Sequence, residues 1–300
     1  EIDNFDIVAE LQNISLEEYL AMYELPAGIG GVLLGKVGLS GTVDKPQLNA
    51  ELFLQNASMD RVAITNAKLN ISTVDELLTI VGNADVGGGK ATLRSIVPLT
   101  DKDDLNVLLS LEKIPLKIIG GFVEGFQNIQ GEINLDASVK GKEDSLEPNV
   151  MMEIVDGSFE YMPIQLKYTD VQLDLLGDTE GLAINKFTAR SQRLGLLDLT
   201  SGNMSVTGLF GWKDLVPSNG LLKIEFDKFH LMDSAKDKLK LSGMLSMSYK
   251  PELTSTTGYL NIDDALFHFD SDFFLENSSL ELNPSITIHR RATKQLLKKE

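Results

Sequence analysis

From Ile129 to Gly141 the chain reads IQGEINLDASVKG. Ile129, Gly131, Ile133, Leu135, Ala137, Val139 and Gly141 share one parity, while Gln130, Glu132, Asn134, Asp136, Ser138 and Lys140 share the other. A two-residue period of this kind predicts a strand with one dry face. The stretch Gly31–Val43 repeats it, with Leu33, Gly35, Val37, Leu39, Gly41 and Val43 on one side. After the turn signal Asp44-Lys45-Pro46 come Leu48, Ala50, Leu52 and Leu54, opposed by Gln47, Asn49, Glu51 and Gln55; only Phe53 breaks the polar side. The same alternation runs through AITNAKLNI, LNVLLSL, IQLKYTD, VQLDLL, LAINKFTA, NMSVTG, LKIEFD, LKLSGMLSMSY, TGYLNID, ALFHFD, SSLEL and SITIH. It predicts about 20 strands, mostly of roughly 5–10 residues. The gaps between them are short and rich in glycine, asparagine, aspartate and proline, which favours antiparallel neighbours.

Two segments read as helical. Ser15 and Glu18 have capping-box spacing ahead of Leu16, Leu20 and Tyr23, so ISLEEYLAMYE predicts a short helix lying as a lid on a β core. The terminal RRATKQLLKKE is helix-compatible and basic through Arg290, Arg291, Lys294, Lys298 and Lys299, as expected of a solvated tail or connector.

A longer period underlies the strands. Ile14 and Leu16 correspond to Ile114 and Leu116, Gly31 to Gly131, and Gly41 to Gly141, a register of 100 residues. Pro46, Pro148 and Pro251 recur in the same order, each followed by a further apolar run. The repeat implies β modules at 14–113 and 114–228, a shortened one at 229–289, a connection from a preceding repeat at 1–13 and a basic helix or tail at 290–300. Units of this kind cover one another's exposed apolar edges.

Charge and composition narrow the classes of function. The chain has 300 residues with 44 acidic and 27 basic side chains, a net charge of -17, which argues against nucleic acid as a partner. The 43% hydrophobic content is that of a folding chain. No cysteine is present, so thiolate and disulfide chemistry are unavailable. His230, His268 and His289 form no metal-ligand spacing. Asp101, Asp103 and Asp104 lack the glycine and terminal glutamate of a calcium loop. GNADVGGGKATL does not have phosphate-loop spacing and predicts a tight turn. Glu153, Asp156 and Glu160 supply carboxylates without an arrangement that nominates an acid or a base. Neither catalysis nor a cofactor is expected.

With the repeat in view, Gly31-VLLGKVGLSGT-Val43, Asp44-Lys45-Pro46 and LNAELFLQNASM resemble the glycine, LSGT, proline and LNGxLxLxNG pattern of the repetitive β region in the translocation-and-assembly (TamB) and AsmA-like family. GEINLDASVKG with EPNVMMEIVDGSFEYMPIQLKYTDVQLDL, and then LSGMLSMSYKPELTSTTGYLNIDDALFHF, repeat the order with departures from the LSGT wording. The resemblance implies an all-β fold: an elongated, curved and twisted sheet forming an open hydrophobic groove, with short helices. It also implies a periplasmic segment, inner-membrane anchored in the full protein, in the envelope of a diderm bacterium. The implied work is phospholipid transfer between inner and outer membranes, the membranes being reached through regions outside this segment. An outer-membrane assembly protein is an implied partner under the alternative role, a β scaffold for outer-membrane protein assembly or translocation. A further alternative that the resemblance implies is a plastid-envelope setting, as a relative of proteins associated with protein import there.

On that reading the apolar parity lines a groove for phospholipid acyl chains. The expected lining is Leu33, Val37, Leu39, Leu52, Leu54, Ile133, Leu135, Val139, Met152, Ile154, Leu166, Leu173, Leu241, Leu245, Met247 and Phe269. Gly35 and Gly41 fall within the same stripe, where they are expected to let the sheet curve or a hydrocarbon chain approach the backbone.

Overall fold

The computed structural model describes residues 4–21, 29–43, 45–59, 61–100, 104–142, 145–194, 201–213, 216–234, 237–251 and 253–266. Expectations placed on Phe269, His268, His289, the segments SSLEL and SITIH, and the basic stretch 290–300 lie outside them.

Alternation along the chain becomes one antiparallel meander. Its strands are β1 Phe5–Ser15, β2 Ile29–Gly41, β3 Pro46–Met59, β4 Val62–Val74, β5 Leu77–Val86, β6 Gly89–Pro98, β7 Leu105–Pro115 and β8 Phe126–Lys142. They continue as β9 Ser145–Tyr161, β10 Leu166–Gly177, β11 Gly181–Arg193, β12 Gly202–Lys213, β13 Val216–Asp233, β14 Lys238–Lys250 and β15 Leu253–Leu266. Each strand pairs with the next in chain order, giving a single 15-stranded sheet that does not close. At about 4.8 Å per strand it extends about 67 Å along its hydrogen bonds. Helix α1, Leu16–Ala21, follows β1, and a 3-10 helix at Leu116–Phe122 follows β7, at the same end of the sheet. The amide of Glu18 donates to Ser15 Oγ at 3.4 Å, the cap expected from their spacing.

Among the described residues the strands are longer than the alternation predicts, and the cause is a row of bulges that joins stretches of opposite parity. Asn13, Asn56, Asn66, Lys113, Asn128, Asp156, Asp170 and Lys228 each lie inside a strand with φ between +49° and +54°. All eight sit toward the end of the sheet that carries α1 and the 3-10 helix. Asparagine and aspartate tolerate the left-handed region better than other non-glycine residues. At the two lysines the bulge amide finds a side chain on the next strand: Lys113 N–H donates to Asn134 Oδ1 at 2.8 Å, and Lys228 N–H to Ser242 Oγ at 2.9 Å.

Each bulge inserts a residue and reverses the parity beyond it. On β3 the inward set changes from Leu48, Ala50, Leu52 and Leu54 to Ala57 and Met59. On β10 it changes from Leu166 and Tyr168 to Val171, Leu173 and Leu175. The parity break at Asp170 separates IQLKYTD from VQLDLL in the sequence, yet both belong to β10. The 100-residue register reappears as geometry: Asn13 with Lys113 and Asn56 with Asp156 are bulges, and Gly41 and Gly141 both lie at the hairpin ends of their strands with positive φ.

A packed core forms only near the bulged end. Val62, Val86, Ile114, Leu116, Ile129 and Ile133 make one buried cluster, with Ile118 of the 3-10 helix packed against it. Val171, Ala189 and Phe229 make a second, and Phe159 touches both. An aromatic chain joins the two: Phe126 to Phe159 at 5.1 Å, Phe159 to Tyr168 at 4.9 Å, and Tyr168 to Phe229 at 5.9 Å. The last contact skips β11 and β12 and therefore requires the sheet to coil. Substituting Asn56 by valine should cost about 1–2 kcal/mol, the penalty of a β-branched residue in the left-handed region, whereas Asn56→Gly should be near neutral; urea midpoints of the two variants check this.

Candidate functional site

The inward positions align across strands into continuous apolar rows. One runs Leu111, Leu135, Met152, Leu175, Ile184, Gly208, Leu222 and Met247 from β7 to β14. A second runs Ile114, Ile133, Ile154, Leu173, Phe187, Val206, Ile224 and Leu245 over the same strands. On the earlier strands Leu33 faces Leu54, Leu39 faces Leu48, and Val37, Ala50, Ile71, Ile80, Ser95, Val107 and Val139 continue in line from β2 to β8. Because each strand pairs with its sequence neighbour, the alternation places all these groups on one face without a crossover.

Every expected lining residue within the described segments lies on this face, but in two environments. Leu166 is wholly buried, and Ile133 and Leu241 are 8% and 6% exposed. These three hold the bulged end together. Met152 and Ile154 pack against the first core cluster from outside it. Leu33, Val37, Leu39, Leu52, Leu54, Leu135, Val139, Leu173, Leu245 and Met247 are half-buried. No second layer of the described chain covers them. A sheet with one apolar face ordinarily buries it against another layer, so this face is short of a partner.

The concavity is clearest under α1. Leu16 overhangs Leu33, Leu52, Leu54, Leu69, Leu93 and Leu109, and the cleft between them measures about 330 Å³. That is at the lower end of the range for small-molecule pockets, roughly 300–1,000 Å³. Leu16, Leu69, Leu93 and Leu109 are absent from the expected lining, although the alternation in AITNAKLNI and LNVLLSL carries two of them. Leu16 has no strand parity, and its signal was the apolar face of the helix expected to lie as a lid on the β core.

The glycines in the stripe act through the backbone. A Cβ at Gly35 would stand 2.2 Å from the carbonyl oxygen of Glu51 on β3, so this position admits no side chain while β2 and β3 pair. Gly41, with φ of +101°, closes onto the carbonyl of Lys45 at the hairpin turn, and Gly141 does the same with Ser145. At Gly41 and Gly141 the missing side chain allows the hairpin to close. Gly87 and Gly88, with φ of +59° and +98°, form the two-residue turn between β5 and β6, as expected for that glycine run.

Among the polar residues singled out in the sequence, His230 and Glu160 have local partners. His230 is buried, its Nδ1 is 3.3 Å from Asp233 Oδ2, and its amide donates to Ser191 Oγ at 2.8 Å. Arg193 Nε stands 3.6 Å from Asp233 Oδ1. The group ties β13 to β11 past the start of β12. Asp156 is a bulge residue, and Glu160 accepts a hydrogen bond from Asn128 Nδ2 at 2.7 Å, so the carboxylates around Glu153 serve separate local purposes. Among the described residues no three histidines, aspartates or glutamates are grouped to hold a metal ion. No described helix is long and apolar enough to cross a membrane.

Burial, with a smaller contribution from the neighbouring Tyr161, raises the phenol of Tyr168 above the ordinary tyrosine range. Ionisation is therefore harder in the folded state than in the unfolded state. The resulting stability is fully present below about pH 10 and is lost as pH rises through the elevated folded value. Stability measured against pH in the alkaline range should fall in the parent chain and fall less in Tyr168→Phe, and phenolate absorbance should show one tyrosine titrating late.

Compared with protein-family models, with curated proteins and with solved structures, the chain matches none of them.

Proposed function

We propose that the apolar face shields the acyl chains of phospholipids, and that this chain is a segment of a bridge carrying lipid between the inner and outer membranes of a diderm envelope. The observation that carries the proposal is the missing second layer. Strands β2–β14 present aligned apolar rows, yet outside the bulged end most of their side chains stay half-exposed. A hydrocarbon chain laid across the strands would supply the missing contacts. Each buried methylene contributes about 0.8 kcal/mol, so a 16-carbon chain contributes on the order of 12 kcal/mol before ordering and incomplete burial reduce it. The rows give no directional preference, as expected of a passive conduit. The choice of phospholipid and the envelope setting rest on the sequence resemblance.

Lipid extraction and native mass spectrometry of a detergent-free preparation test the proposal. Phospholipid should copurify, and photo-crosslinkers at Leu52, Leu135 and Leu245 should capture acyl chains while one at the outward Ser246 should not. Leu135→Asp or Leu245→Asp should deplete bound lipid and cost about 1–3 kcal/mol in stability, since each puts a carboxylate on a half-dry surface. An absence of bound lipid after direct challenge, or equal capture from both faces, would overturn the reading.

A further inference from the structure

The outward face carries scattered apolar side chains, such as Phe53, Val81 and Leu108, and on β9–β13 a continuous row of them. Met151 on β9 pairs with Leu176 on β10, Leu176 with Ala183 on β11, Ala183 with Leu209 on β12, and Leu209 with Leu221 on β13. Five consecutive strands thus set an apolar side chain in line on the side opposite the groove. Met151 is 50% exposed, Leu176 41%, Leu209 63% and Leu221 53%. Met151, Leu176, Ala183 and Leu209 of the row line a trough of about 580 Å³ together with Asn149, Asp178, Glu180 and Asn219. A contiguous apolar row within a polar rim marks an interaction surface, unlike leucines scattered singly over a surface.

The charge around the row is lopsided. Asp136 stands beside Met151 in the same line, Glu153 and Asp174 flank it on one side, and Asp178 and Glu180 on the other. Among the described residues none of these five carboxylates has an ion-pair partner within 4.0 Å. Two lysines share this face: Lys223 pairs with Glu225 at 2.6 Å, and Lys186, opposite Asp174 in register, donates to Gln172 at 2.6 Å, so the five carboxylates outnumber the nearby cations.

We propose that this stripe is a docking site for a basic amphipathic helix of a partner protein, lying across β9–β13. Its direction suits a helix. The row crosses the strands at a spacing of about 4.8 Å, close to the helical pitch of about 5.4 Å, so successive turns meet successive strands. Four strand spacings span about 19 Å, or about 13 helical residues. The unpaired carboxylates accept lysine or arginine flanking the apolar stripe of such a helix. They oppose an anionic membrane surface, and a row one side chain wide is far smaller than the roughly 800 Å² per partner of a stable dimer. The inference does not depend on what the inner face carries.

Fluorescence anisotropy with the full chain and a synthetic leucine–lysine peptide of about 18 residues, its leucines on one helical face, tests this. The chain should bind it, and Leu176→Ser combined with Leu209→Ser should weaken binding about tenfold or more. Glu153→Gln with Asp174→Asn should also weaken it, and a leucine–glutamate peptide of the same pattern should not bind. Leu52→Ser, on the opposite face, should leave the affinity unchanged. Circular dichroism confirms that each variant keeps its strand signal. Three results would each overturn the proposal: affinity indifferent to Leu176→Ser with Leu209→Ser, equal binding of the acidic peptide, or loss through Leu52→Ser as large as through the double variant. Concentration-dependent self-association abolished by the same double variant would assign the stripe to a second copy, and would likewise overturn it.

Discussion

The structure depends on a single backbone device, one residue in each of eight strands placed in the left-handed region near the same end of a meander. A strand of 14–18 residues such as β3, β9 or β13 can keep one face apolar only if its alternation is reset where it bends. The bulges at Asn56, Asp156 and Lys228 do this in those three strands. Beyond them the chain presents Ala57, Gly157 and Phe229 to the interior, where the unbroken parity would have presented the opposite set. The bend lets α1 and the 3-10 helix at Leu116–Phe122 pack over the apolar face, and it brings Phe229 against Tyr168 across two intervening strands. Without the bulges the same sequence would form a sheet with no dry core at either end.

The two ends of each strand consequently have different physical tasks. Near the bulges, side chains interdigitate and exclude water, and this region contains nearly all of the fully buried apolar groups. Toward the opposite end the rows headed by Val37, Leu39 and Leu52 remain half-exposed. Some glycines sit where backbones approach closely, as at Gly35 against Glu51 and Gly41 against Lys45. On the outer face ion pairs such as Lys68 with Glu51 at 2.5 Å link adjacent strands, and Lys68 also covers Phe53 with its ammonium 5.2 Å from the ring. Exposed pairs of this kind contribute little individually. Backbone pairing and the packed end hold the sheet, leaving the uncovered apolar surface available for a ligand.

Much of this was legible in the residues themselves. A two-residue period at Leu48–Leu54 and Ile129–Gly141 is enough to assign strands and choose their inward side, because strand side chains alternate without regard to tertiary context. Short turn-rich gaps are enough for antiparallel order. Strand number was less accessible. A bulge at Asp170 and a true turn at Asp75-Glu76 both appear in sequence as a polar residue interrupting the alternation, and only hydrogen-bond register separates them. The division of the apolar face into packed core and open surface was also hidden, since Leu166 and Leu173 have the same chemistry and differ only in what lies above them.

The sequence by itself determined an all-β chain with one apolar face, antiparallel neighbours, tight glycine turns and a recurring register near 100 residues. Local sterics and alternation suffice for these, and both act within a few residues. Tertiary structure alone decided that the strands join in one open sheet and that their bulges align near one end. It also decided that Leu16 overhangs the leucines of β2–β7, and that Met151, Leu176, Leu209 and Leu221 fall into line on the outer face. Those outcomes depend on cross-strand register, which couples residues tens of positions apart and is set by how many residues each bulge inserts.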